Sequence, residues 1–151
     1  MAIGAGAKAS WHAQSQKVFE DMRRLFAPYQ VEKVDFEVGE TARACILASY
    51  ERCKNDSAIV KKQFSSVVKM QDMAALEIER RLDDNLYVFI QDSESKGVYR
   101  SSAKAISQRL SDLLKYDGNT VFVAGAAGTA GVLVDYEEDS VQTPYELEAW
   151  G

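Results

Sequence analysis

The longest stretch of the chain that keeps a single hydrophobic period runs from Ser57 to Asp84. At 100° per residue, Val60, Phe64, Val67, Val68, Gln71, Ala74, Ala75, Ile78 and Leu82 fall within roughly 120°, the buried stripe of an amphipathic helix. Asp56 or Ser57 can cap its start, and Glu77 stands four residues before Arg81, the favourable order for an ion pair. The far side groups Lys62, Lys69, Met73, Leu76 and Arg80 within roughly 60°. A solvated face has no need of Met73 and Leu76, so this side is the expected partner-binding surface.

Elsewhere the period changes. Residues 1–9 are small and uncommitted, as in an end expected to be disordered. Ser10 reads as an N-cap for a helix with Trp11, Ser15, Val18, Met22, Leu25 and Phe26 at spacings of three and four, ended by Pro28. From Val31, the alternation Val34, Phe36, Val38 predicts a β-hairpin reaching Tyr50, in competition with a helix over 41–54. Leu86–Gln91 is a compact apolar run suited to a central strand, followed by the turn DSESKG. Ser101 or Ser102 caps a helix with Ala103, Ile106, Leu110, Leu113 and Leu114 inside, closed by Asp117 and Gly118. Thr120–Ala124 and Val132–Tyr136 read as buried strands, and the closing YELEAW alternates like another.

These elements predict an α+β fold in one domain: a mostly antiparallel sheet of four to six strands with three helices, the longest over about 57–84. With 151 residues, 46% of them hydrophobic, the chain can fill one core. The division is a body over 1–134 and an acidic C-terminal tail over 135–151, packed on its own or a neighbouring chain.

Charge sharpens that division. Net charge is −5, which disfavours a nucleic acid as primary ligand. Six of the 23 acids (Asp135, Glu137, Glu138, Asp139, Glu146 and Glu148) and no Lys or Arg lie beyond Val134, leaving 17 acids against 18 bases in residues 1–134. No apolar run approaches the roughly 18 residues of a membrane span, and MAIGAGAKAS lacks a signal peptide's apolar core, so no membrane role and a cytoplasmic setting are expected. Cys45 and Cys53, the only cysteines, read as buried free thiols.

Candidate chemistry is thin. Gly125, Gly128 and Gly131 follow a strand at a spacing that evokes a ligand or nucleotide loop, with Asp92 and Asp135 as its candidate helpers, but VLVDY follows instead of the helix a phosphate loop requires. Ser93 in its turn has no identifiable base, and His12 is the single histidine, so neither a catalytic triad nor a zinc set assembles and no cofactor or metal is implied. The expected function is non-enzymatic: an interaction or assembly subunit, inhibitor or immunity proteins included, with a protein partner or a homo-oligomer. Its expected contacts are Lys62, Lys69, Met73, Leu76 and Arg80, complemented by Tyr145, Leu147 and Trp150 of the tail.

Overall fold

Strict alternation organises the centre of the molecule. In β3 (Asn85–Ile90), Leu86, Val88 and Ile90 face one side while Tyr87 and Phe89 face the other, and β5 (Thr120–Gly125) matches them with Val88 opposite Val123 and Phe89 opposite Phe122. Both sides are apolar because both are covered. The structure, a computed structural model, describes residues 5–90, 92–116, 119–137 and 142–151, without the side chains of 5–11 and 94–95.

Further strands are β1 (Glu32–Lys33), β2 (Val60–Phe64), β4 (Tyr99–Ser102), β6 (Gly131–Tyr136) and β7 (Tyr145–Trp150). Among the described residues, seven strands form one antiparallel sheet in the order β1-β4-β3-β5-β6-β7-β2. The helices are α1 (Ala5–Phe26), α2 (Phe36–Asn55), α3 (Val67–Arg81), the single turn α4 (Ser93–Lys96) and α5 (Ala103–Tyr116). The larger core joins α1, α3 and α5 to one sheet face through Met22, Phe26, Met70, Ile78, Ile106 and Leu110. On the other face α2 lays Ile46 over Phe89, Ala124 and Trp150. The class is α+β as expected; the sheet has more strands, and α2 is a fourth long helix.

The Ser57–Asp84 stretch is a strand and a helix. A spacing of four, Val60 to Phe64, is two strand periods and also close to one helical turn, so periodicity alone cannot choose. The serines choose. Ser66 is extended (φ −130°, ψ 149°), and its Oγ accepts from Lys69 N at 3.2 Å, which starts α3 there. Asp56 and Ser57 end α2 instead of opening a helix: Asp56 N–H returns to the Arg52 carbonyl, and Ser57 has φ 55°.

Nor do residues 31–50 make a hairpin. Only Glu32 and Lys33 join the sheet, while Val38, the third member of the alternation, is 46% exposed. Helix prevails because Glu37 lies in the first turn of α2, alanines follow at 42, 44 and 48, and Arg52 and Lys54 meet the negative end of the helix dipole. Residues 5–9, which the sequence leaves uncommitted, belong to α1, so Ser10 lies inside the helix and is not its cap. The closing helix matches expectation: Ser102 Oγ accepts from Ala105 N at 3.1 Å. The proposed Asp117–Gly118 stop lies outside the described residues.

Three tyrosines tie these layers together. Tyr50 donates to Glu148 Oε2 at 2.9 Å, Tyr116 to Asp21 Oδ2 at 2.6 Å, and Tyr99 to the Lys96 carbonyl at 2.6 Å. Burial, and then the bonded carboxylate, push Tyr50 and Tyr116 up to about 12. Burial first, then Tyr116 and Asp21, push Tyr99 up as well. An unfolded chain releases these protons near pH 10, at about the ordinary tyrosine value. Above that pH the native state holds more protons than the unfolded one, so stability falls as pH rises from about 10 towards 12. Alkaline titration by phenolate absorbance is expected to show a late group that ionises together with the loss of helical circular dichroism. Ionisation of every tyrosine near pH 10 in a chain that stays folded would contradict these contacts.

Candidate functional site

Helix α3 is built with two unlike sides. Met70, Ala74, Glu77 and Ile78 are buried against the sheet, and Gln71 Oε1 accepts from Ser111 N at 3.2 Å, which turns one flank towards α5. The other flank carries Lys69, Met73, Leu76 and Arg80 within roughly 60°. Lys69, Leu76 and Arg80 are exposed, Leu76 by 52%, and Val68 nearby by 65%. Met73 is half-buried at the rim of the core.

Beneath this flank lies the end of the sheet. Lys62 pairs across β2–β7 with Leu147, a core residue on the α3 side, so Lys62 faces α3 from the edge strand. Lys69, Met73, Leu76 and Arg80 of α3 and Lys62 of β2 thus share one side, and the exposed acids Asp72 and Glu79 border Leu76 on its outer side. Arg80 Nη1 reaches Glu77 Oε1 at 3.5 Å, but the carboxylate is 4% exposed and the arginine 70%, so the cation still faces water. Among the described residues Lys62 and Lys69 have no ion-pair partner.

The three tail residues go elsewhere. β7 lies between β6 and β2, with five register pairs to β2, so the YELEAW segment of the tail is an interior strand. Leu147 and Trp150 are 0% exposed, and Tyr145 is half-buried with its ring 5.2 Å from that of Tyr136. The indole N–H of Trp150 donates to Ser49 Oγ at 2.9 Å, which fastens α2 to the sheet. Arg81 Nη1 holds the Gly151 carbonyl at 2.9 Å. A pull between acids and bases does exist, but inside the sheet: Glu146 takes Lys61 Nζ at 3.4 Å and Gln63 Nε2 at 3.3 Å.

The glycine loop is the hairpin β5–β6, and two of its glycines have packing reasons. Gly131 sits opposite Trp150, and a Cβ there would lie 2.6 Å from the indole Cζ2. Gly128 has φ +70°, and a Cβ would lie 2.9 Å from Cys45 Cβ. Gly125 has room for one. Between this hairpin and α2 opens a cleft of about 330 Å³, walled by Ala126, Ala127, Tyr87, Thr41 and Cys45. Its one charged wall residue is Glu37, the wrong sign for phosphate.

No known family model matches this chain, and neither does any curated protein. The remaining chemistry must therefore be read from the side chains. Ser93 is buried and its Oγ accepts from Arg43 Nε at 3.1 Å, a tie between α4 and α2. His12 is exposed on α1. Among the described residues no three His, Cys, Asp or Glu side chains converge on a metal position. Cys45 is exposed and Cys53 half-buried, which corrects the buried-thiol expectation. Eight residues apart on α2, they stand about 12 Å apart along the axis, beyond disulfide reach. Asp135 accepts from Thr120 Oγ1 at 2.7 Å, while Glu138 and Asp139 lie outside the described residues.

The sequence pattern found the α3 flank through two apolar residues on a charged side. It missed the edge strand beside it. Five residues of VKKQF between the turn signals Asp56–Ser57 and Ser65–Ser66 are the trace that could have shown it.

Proposed function

We propose that the chain is a non-enzymatic protein-interaction or assembly subunit, which docks an acidic partner on the flank of α3 and the adjoining β2. The observation that carries this reading is the exposure of Leu76 among Lys62, Lys69 and Arg80 while the chain's own acidic tail is occupied as β7. Leu76 has Lys69 and Arg80 on one side and the exposed acids Asp72 and Glu79 on the other, so a partner with apolar anchors and carboxylates suits the side that carries the cations; charge supplies specificity and rate, and the apolar contact supplies affinity. A partner inhibited or neutralised by this surface is one form of the same function. The small-ligand alternative retains only the cleft beside Gly125 and Gly128, whose wall favours neutral or cationic molecules over nucleotides. No helix among the described residues is long and apolar enough to cross a membrane.

The test compares the natural chain with a Lys69→Glu/Arg80→Glu variant, each used to capture partners from the native host and quantified by mass spectrometry. A partner held by the natural chain, lost from the variant, and released by raised salt is the expected result. Identical captures at every ionic strength would remove the α3 flank from the function.

A further inference from the structure

We propose that the outer edge of β2 accepts an extended acidic segment of a partner protein as an eighth strand of the sheet. This rests on the docking function proposed above and names the form its partner takes.

β2 ends the strand order, and among the described residues no strand pairs with its outer side. Alternate N–H and C=O groups of an edge strand point outward, ready to bond a newcomer. The opposite edge of the sheet, β1, has only two residues, so β2 with five is the edge long enough to hold a ladder. Residues 60–63 are exposed and Phe64 is half-buried.

The side chains define the newcomer. Lys61 and Lys62 point to opposite faces, so a cation stands on each side of the edge. Val60, 37% exposed, shares the α3 side with Lys62. The inner neighbour β7 shows what this strand already accepts: Glu148 opposite Lys61 and Glu146 opposite Gln63, alternating with Leu147 and Ala149. A second strand of alternating acidic and apolar residues would turn its acids to Lys61, which then stands between them and Glu146, and lay its apolar side chains beside Val60 and the aliphatic stem of Lys62 on the opposite face.

A second copy of this chain fits less well. In the two-fold antiparallel register centred on Lys62, that lysine faces its own counterpart, and like charges directly opposite are destabilising. Lysines on an edge strand also serve to repel other sheets. The same residues that refuse a second β2 therefore select an acidic strand.

The probe is a synthetic peptide with blocked ends and the sequence YELEAW, alongside a form with both Glu replaced by Lys and a form N-methylated on alternate backbone nitrogens. Hydrogen exchange of the full chain reports the site, and fluorescence anisotropy reports affinity. Strand addition is supported if YELEAW slows exchange of the outward amides within residues 60–64, the Lys form fails to bind, and N-methylation on the pairing edge weakens binding about tenfold or more. Equal binding by the N-methylated forms without protection of β2 would overturn strand addition while leaving docking on the α3 flank in place. So would failure of YELEAW to bind, combined with self-association of a Lys61→Thr/Lys62→Thr variant, which would mark the lysines as edge blockers only. Failure of the docking function itself is read separately, from the capture comparison at Lys69 and Arg80.

Discussion

A chain ended after Thr143 is expected not to fold. The truncation removes β7, whose loss takes away six register pairs to β6 and five to β2 and detaches β2 from the sheet. It also removes Leu147, Ala149 and Trp150, each 0% exposed. Burial of a large core side chain contributes about 2–5 kcal/mol, and a domain's whole stability is about 5–15 kcal/mol. Losing the tail's buried residues and two ladders together exceeds what remains. Circular dichroism during heating is expected to show no cooperative transition for this form, against a sharp one for the full chain. A truncated chain that melts like the full one would place the tail outside the core.

Trp150→Ala is the second large effect, expected to cost about 3–5 kcal/mol. The indole packs edge-on against Tyr50 at 5.0 Å and Phe122 at 6.0 Å, covers Gly131, and bonds Ser49. The substitution opens a cavity between α2 and the sheet and leaves the buried Ser49 hydroxyl without its donor. Because the smaller core on that face has few members, the vacancy has little to collapse into it. Chemical denaturation is expected to show a midpoint shift with little change in slope. A change below about 1 kcal/mol would mean that the indole is not the clasp described here.

What was legible in the sequence follows from the uniqueness of each signal. Leu86–Ile90, Thr120–Ala124 and Val132–Tyr136 are apolar runs too short for helices and rich in β-branched or aromatic residues, and all three are strands. The stripe Ile106, Leu110, Leu113 fits only a helix. Ambiguity arose where one spacing serves two periods, as between Val60 and Phe64. It arose again where two alternating residues, Val34 and Phe36, are buried for different reasons, one in a connection and one in the first turn of α2. The tail could be recognised as a strand from its alternation, but the sequence could not say whose sheet it enters. Leu147 and Trp150 look the same on paper as docking anchors and as core residues, and only the register of β7 between β6 and β2 separates the two. The α3 flank, by contrast, was legible because Leu76 stands among charges, a pattern with no core explanation.

The central claim is that β7 belongs to the interior while the neighbouring β2 keeps one edge open for a partner. Native-state hydrogen exchange of the isolated chain tests it most directly. The expected result is that amides of residues 146–149 exchange only by global unfolding, at the rate of the β5 and β6 cores, while those amides of residues 60–64 that point away from β7 exchange orders of magnitude faster. Exchange of 146–149 at loop rates, or full protection of every β2 amide in the isolated chain, would contradict it.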